Sequence, residues 1–258
     1  LGEDEAGKAV VSDLESFGVD VNVVTEPNRP TTIKNAIVVQ SYRLLKIDIV
    51  ENTPLLSQST STIQDFLSKT ESDAVIFSDF RHGIFNQNSI ANMQQRIPGN
   101  CFTAADSQVA SRWGNILDFQ GFDLITPNEK EARFSLGDQD TVVRPLAKKL
   151  HEKARCKTLI LKCGDKGVIT YVKNDDDYRA FFSIDTFAKS IVDAVGAGDA
   201  LLAYSTLLMT AGASPAIASI IGSIAAGLEC EQDGNHPITP QMIIDRLNEI
   251  EKLSNYEV

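Results

Sequence analysis

Residues 193–199 read Asp-Ala-Val-Gly-Ala-Gly-Asp, and an apolar, helix-forming stretch starts at Ala200. Gly196 and Gly198 allow the backbone to come close to a ligand, because neither carries a Cβ. The helix that follows would turn its unpaired N–H groups and the positive end of its dipole toward the same loop. Together these features make an anion site suited to phosphate. Asp199 falls on the first helical turn, where a carboxylate would repel a bound anion unless it had a task. The economical task is to take the proton from a hydroxyl that attacks the phosphate. The amides of Gly196, Ala197 and Gly198 would then steady the negative charge on the group in transfer. The structural alternative is a helix entry with a dipole-friendly aspartate. A dinucleotide fingerprint does not fit, since its third glycine would fall on Leu201 and the motif lies late in the chain.

A second constellation is Thr126-Pro127-Asn128-Glu129-Lys130-Glu131-Ala132. Asn128 followed three residues later by Glu131 has the spacing of a capping box. The same glutamate could serve Mg²⁺, which keeps most of its waters and needs few protein carboxylates. In Leu161–Val168, Lys162 and Gly164 suit the edge of a nucleotide-phosphate site, or are a solvated lysine and a turn glycine. Asp193 reads from its residue type as a turn residue. His82 follows a buried strand at its C-terminal end, where α/β proteins place ligands, although a loop histidine is more often structural. Asn174-Asp175-Asp176-Asp177 reads as a solvated hairpin tip.

These motifs resemble, in order, those of the ribokinase-like (PfkB) sugar kinases. The 193–199 run is similar to the family signature Asp-Thr-x-Gly-Ala-Gly-Asp, with Ala194 in the place of Thr. The 126–132 run is similar to its Asn-x-x-Glu motif, and 161–168 to its strand–turn–strand before the nucleotide site. The resemblance implies ATP-dependent phosphorylation of a sugar or sugar-phosphate hydroxyl. It assigns Asp199, Gly196, Ala197 and Gly198 to catalysis, and Asn128, Glu129, Lys130, Glu131, Lys162, Gly164 and Gly167 to the nucleotide side. It gives Mg²⁺ to Glu131 through water, and a monovalent cation such as K⁺ to Asp193.

Asp79 and Gly83 resemble the Ser-Asp-Tyr-x-x-Gly loop best known from heptose-phosphate kinases. Pro30, Thr31, Lys34, Lys46 and Asp48 keep the frame of the lid in that subfamily. On this basis Lys34, Asp48 and Asp79 are expected to contact the sugar. Ala36 and Tyr42 stand where the subfamily usually has Arg and Gln, and Ala cannot read phosphate bidentately as Arg does. Gly2–Gly7 resembles a segment that follows the first strands of the family. The earlier Gly-Gly-x-x-Asn region and the sugar-binding aspartate near it have no counterpart, so an N-terminally truncated domain is expected. A second copy could pair through the lid. The alternative function is a nucleotide-binding pseudo-kinase or scaffold fragment without turnover.

The elements that must position these residues follow from periodicity. Ala74–Phe77 is a continuous apolar run, as in a parallel strand buried on both faces. Cys101–Ala105, Leu124–Thr126 and Thr158–Leu161 are further strands. Val168–Val172 and Tyr178–Ile184 suggest an antiparallel hairpin. Helices are expected over Ala6–Phe17, Asn86–Ile97 and Thr141–Ala154, and from Ala197, Ser214 and Pro240. Val19–Val24 reads as a strand, and Thr31–Val39 with Arg43–Val50 as a hairpin around Gln40-Ser41-Tyr42. Such alternation predicts an α/β fold: a doubly wound, mostly parallel sheet with helices on both faces. One ribokinase-like domain over 1–258, with lid strands at about 19–50, accommodates all of it.

Composition sets outer limits. The chain has 258 residues, a net charge of −11 and four cysteines without a CxxC pair. The charge disfavours non-specific binding to nucleic acid or to an anionic membrane surface. The scattered thiols suit a reducing cytoplasm, with Cys101 and Cys163 read as core packing. The apolar stretch 200–230 is split at Gly212–Pro215, which favours two buried helices over a membrane span.

Overall fold

In the computed structural model, which describes residues 1–39, 42–108, 115–173 and 181–254, the chain forms two units. Leu1–Glu71 with Arg81–Gly99 make the first, and Ser72–Phe80 with the chain from Asn100 onward make the second.

In unit 1, Asp4 starts helix α1 (Glu5–Ser16) by accepting from the Gly7 amide at 2.8 Å, and its other oxygen accepts from the Thr31 amide at 2.9 Å. One carboxylate thus caps a helix and fixes the approach to strand β1 (Ile33–Val39). Strand β2 (Tyr42–Ile49) pairs antiparallel with β1, giving a two-stranded ribbon with a bulge after Ile37. Helices α2 (Ser57–Ser68) and α3 (Gln87–Gln94) complete the unit, α3 behind a capping box from Asn86 and Ser89. Val19–Val24 forms no strand: among the described residues no ladder partner lies beside it, and a strand without one leaves its backbone groups unpaired. The turn residues Gln40 and Ser41 lie outside the described residues.

Unit 2 is built on six strands: β3 (Ala74–Asp79), β4 (Phe102–Ser107), β5 (Leu124–Ile125), β6 (Thr158–Lys162), β7 (Val168–Val172) and β8 (Phe181–Ile184). They lie in chain order, β3 to β6 parallel and β6 to β8 antiparallel. Helix α4 (Glu129–Leu136) and helix α5 (Val143–Ala154) precede β6, while α6 (Ala197–Thr210), α7 (Pro215–Cys230) and α8 (Pro240–Ser254) follow β8.

Alternation along the strands sends Ala104, Leu124, Ile160 and Val168 to one face, where Leu201 and Leu202 of α6 cover them. Ala105, Ile125, Leu159 and Leu161 take the opposite parity and are fully buried, as are Leu146 and Leu150 of α5. Phe77, Phe119 and Phe122 close the core edge-to-face, with ring centroids 5.4–6.2 Å apart. Helices therefore cover both faces of a mostly parallel sheet, as the periodicity predicts. Cys101 is buried, but Cys163 is only half buried just past β6, so it is not a core residue. The acidic stretch 174–177 and Tyr178 lie outside the described residues. Among the described residues no helix is long and apolar enough to cross a membrane.

Candidate active site

The parallel strands of unit 2 end together, and each end delivers a polar side chain. Asp79 closes β3, Asp106 lies near the end of β4, Asn128 follows β5, and Lys162 closes β6. Register holds them level: Ser78 pairs with Asp106, Asp79 with Ser107, and Asn128 bridges to Lys162. Ligands of open α/β sheets bind outside such carboxyl ends.

Lys162 is the centre of this cluster. Its Nζ donates to Asp106 Oδ2 at 2.7 Å, and both side chains are largely buried. Burial works against the ammonium charge, but the carboxylates of Asp106, Glu131 and Asp199 outweigh it and hold the group above its ordinary range. Three acids from three different elements thus share one cation. The other oxygen of Asp106, Oδ1, is buried with no hydrogen-bond partner among the described residues.

Asn128 and Glu131 form the expected capping box. The Glu131 amide donates to Asn128 Oδ1 at 2.9 Å, and the Asn128 amide donates to Glu131 Oε2 at 2.7 Å. The cap fixes the Glu131 side chain, which is 5% exposed, on the side facing Lys162. Glu129 and Lys130 are engaged differently. Glu129 accepts from Arg133 at 2.7 Å one turn along α4, and Lys130 is exposed.

The 193–199 loop enters α6 through Gly196, whose φ of +85° lies in the left-handed region. A Cβ there would meet the ends of the Asn235 and Glu229 side chains, which would have to move, and the positive φ itself favours glycine. Asp193 Oδ1 accepts from the Val195 amide at 3.2 Å, which makes it a turn former in this structure. Asp199 sits in the first turn of α6 and is exposed. At Gly198 the backbone passes so near Lys162 that an added Cβ would lie 3.1 Å from Nζ.

Between this loop and the β6–β7 turn lies a cavity of about 200 Å³. Lys162, Gly164, Asp165 and Gly167 line one side, Ala197 and Gly198 another, and Val168, Ile191, Leu201 and Ala226 give it an apolar interior. A polar rim on an apolar interior is the make-up of a small-molecule site.

The expected sugar residues are placed as follows. Asp79 is 2% exposed and accepts from the Ser107 hydroxyl at 2.8 Å. Lys34 and Asp48 are paired across the ribbon of unit 1.

Two residues escape sequence reasoning. Asp106 sits in an unremarkable Ala-Ala-Asp-Ser run, and its only signal is its place near the end of a buried strand. Glu229, near the end of α7, is 1% exposed. Its Oε1 accepts from the His236 amide at 3.1 Å, while Oε2 has no partner among the described residues. Burial pushes its carboxyl above the ordinary range; the His236 amide and ring work against this, and Asp193 and Asp199 add to it. A glutamate within an apolar helix is the one sign the sequence offers.

A family model described as pfkB family carbohydrate kinase matches residues 1–242. The chain is 25% identical over 256 residues to the bifunctional protein HldE of Geobacter metallireducens, covering 95% of this chain and 50% of that protein. It is 30% identical over 211 residues to HldE of a Marinomonas species, covering 80% and 42%. The chain thus spans about half the length of the curated relatives it matches. Among solved structures, ribokinase from Thermotoga maritima matches with a TM-score of 0.73 at 23% identity, covering 96% of this chain and 79% of that one. Phosphofructokinase-2 from Escherichia coli, in complex with potassium, gives 0.76 at 18% identity, covering 97% and 80%. These two establish the ribokinase-like fold.

Proposed function

The chain belongs to the pfkB family of carbohydrate kinases, and from that premise we propose that it transfers the γ-phosphoryl group of ATP to a hydroxyl of a sugar phosphate, a heptose phosphate foremost. The observation that carries this reading is the convergence of Lys162, Asp106, Glu131 and Asp199 at the N-terminal end of α6, beside a cavity of about 200 Å³.

In this reading the nucleotide occupies the cavity along Gly164 and Gly167, with Lys162 drawing in its phosphates. Asp199 is exposed on the first turn of α6 and takes the proton of the attacking hydroxyl. The amides of Gly196, Ala197 and Gly198 meet the charge on the phosphoryl group. Asp79, at the end of β3, is assigned to the acceptor. Glu129 and Lys130 serve the nucleotide side only through α4, given their local engagements.

Magnesium fits the donor set, because Asp106 keeps a buried oxygen without a partner among the described residues and the capped Glu131 bears on the same Lys162 ammonium. These two would hold the ion through water, and when bound it neutralises charge on the phosphates. A monovalent cation is assigned to Asp193, whose charge bears on the buried Glu229 carboxyl. The ribbon of unit 1 also offers a second copy an apolar face: Ile37, Leu45, Ile47 and Ile49 are each 46–51% exposed.

The test is ATP consumption with a panel of hexose and heptose phosphates, run beside direct ATP binding. Turnover with at least one member is expected. ATP binding without turnover across the panel would overturn the assignment.

A further inference from the structure

One wall of the cavity in unit 2 is a segment with no helix or strand of its own, Asp185 to Gly196, which joins β8 to α6. Thr186, Ala188 and Ile191 from it line the cavity. Its apolar side chains do little to hold it, since Ile191 is 64% and Val192 58% exposed. Phe187 does pack on the cluster of Ile224, Leu228 and Ile243. What fixes such a segment is the set of partners that its backbone groups find.

Those partners come from α7 and α8. Arg246 of α8 is buried, and its Nη1 donates to the Phe187 carbonyl at 2.9 Å. The same nitrogen donates to Glu231 Oε1 at 3.1 Å, and Nη2 donates to Oε2 at 2.6 Å, a two-pronged ion pair. Glu231 Oε1 also accepts from the Lys189 amide at 2.7 Å. One guanidinium and one carboxylate thus hold the backbone on either side of Ala188. Helix α7 lies directly behind, where a Cβ on Gly227 would come within 2.8 Å of the Ala188 nitrogen. Further along, the Val192 and Asp193 amides donate to the Cys230 carbonyl at 2.7 and 3.2 Å, a separate anchor for the 193–199 loop. Arg246 is not a lining residue of the cavity, so it acts on whatever binds there through the segment it holds.

We propose that Arg246, through Glu231, is a positioning residue for the nucleotide: it keeps the wall at Thr186–Lys189 in its binding form before ATP arrives. This rests on the reading of the cavity as the ATP site. When the tie is cut, the nucleotide must order the wall as it binds, and the entropy lost there weakens its affinity. The Cys230 anchor stays, so the transfer step at Asp199 is spared.

The experiment compares the parent chain with Arg246→Lys and Glu231→Gln, far below their melting temperatures. Lysine keeps the charge but has no planar fork, so it cannot meet the Phe187 carbonyl and both Glu231 oxygens together. In Glu231→Gln, whichever way the amide turns, its NH₂ faces a donor of Arg246. Direct ATP binding by calorimetry, KM for ATP and for sugar phosphates, kcat and the melting temperature are recorded for each. Both variants should raise Kd and KM for ATP about tenfold, the worth of one charge-assisted bond. Because lost binding is uniform, kcat should stay within about threefold of the parent, as should KM for the acceptor. A purely structural role would instead lower the melting temperature and the active fraction, hence kcat, and leave KM for ATP unchanged; that result overturns the proposal and leaves the kinase reading standing. If no acceptor turns over but Kd for ATP rises as stated, the positioning role stands and the kinase reading falls. A parent chain that binds no ATP overturns both. Hydrogen exchange in the parent needs no variant: the Lys189 amide should be protected without nucleotide, and fast exchange there overturns the proposal even if both variants fail to fold.

Discussion

Lys162 and Asp106, 56 residues apart in sequence, meet at 2.7 Å where two parallel strands end, and Glu131 and Asp199 bear on the same ammonium group. A single cation therefore keeps three carboxylates compatible. That arrangement supports a first prediction.

Lys162→Met should destabilise unit 2 by about 3 kcal/mol, since breaking a buried pair leaves an uncompensated charge behind. Adding Asp106→Leu to it should recover part of the loss. The Lys162 pKa is raised, so the pair's contribution is full below the ordinary lysine value of 10.5 and fades as pH rises through the higher folded value. Urea melts of parent and variants from neutral to strongly alkaline pH check both points: the gap between parent and Lys162→Met should narrow only at the alkaline end.

Asp199→Asn should abolish phosphoryl transfer while ATP still binds. The amide is nearly isosteric and Asp199 is exposed, so the fold should be retained. General-base catalysis contributes about 10²–10⁴-fold, and a loss of that size is expected in kcat. Turnover within about threefold of the parent, well short of that range, would remove Asp199 from the role of base.

Gly196→Ala and Gly212→Ala form a matched pair. Both glycines have positive φ, +85° and +87°, but a Cβ at Gly212 meets open space whereas one at Gly196 meets the ends of the Asn235 and Glu229 side chains. Gly212→Ala should cost about 1 kcal/mol, the conformational term alone. Gly196→Ala should cost about 2 kcal/mol or more and also impair turnover, because the anion loop must shift. Thermal melts and ATP turnover measured side by side separate the two effects.

Glu26→Gln should destabilise unit 1 in a pH-dependent way. Glu26 is 7% exposed and accepts from Arg29 at 2.8 Å and from the Leu56 amide at 2.6 Å. Burial opposes its charge, but bonds from Ser59, Arg29 and Leu56 prevail and lower its pKa. A depressed acid contributes stability that is full above the ordinary glutamate value and lost as pH falls through the folded one. The parent should therefore exceed Glu26→Gln by about 3 kcal/mol near neutrality, with the gap closing below about pH 4. A gap that stays constant with pH would place the effect in packing instead of charge.

The sequence by itself determined the features whose geometry is local. The Asn128/Glu131 cap spans three residues, the Gly196 turn demands a positive φ that its residue type announces, and apolar runs near 104, 124 and 160 mark buried strands, whereas the run near 75 is the end strand β3, whose Ile76 is 42% exposed, so it is not buried on both faces. Sequence reading went wrong where the deciding contact was distant. Val19–Val24 has the composition of a strand but no ladder partner among the described residues. Helix α2, Ser-Gln-Ser-Thr-Ser-Thr-Ile-Gln-Asp-Phe-Leu-Ser, has too few apolar residues to announce itself, and its N-terminal amide at Leu56 is held by Glu26 from 30 residues away.

Only the tertiary structure decided that Asp106 and Glu229 belong with the motif residues. Strand order places Asp106 against Lys162, and the end of α7 carries Glu229 to the Gly196 turn. Neither relation has a sequence period, because each depends on where a sheet or a helix pair brings distant segments together. The chemistry of the loop was therefore legible in the sequence, and the charge balance that tunes it was not.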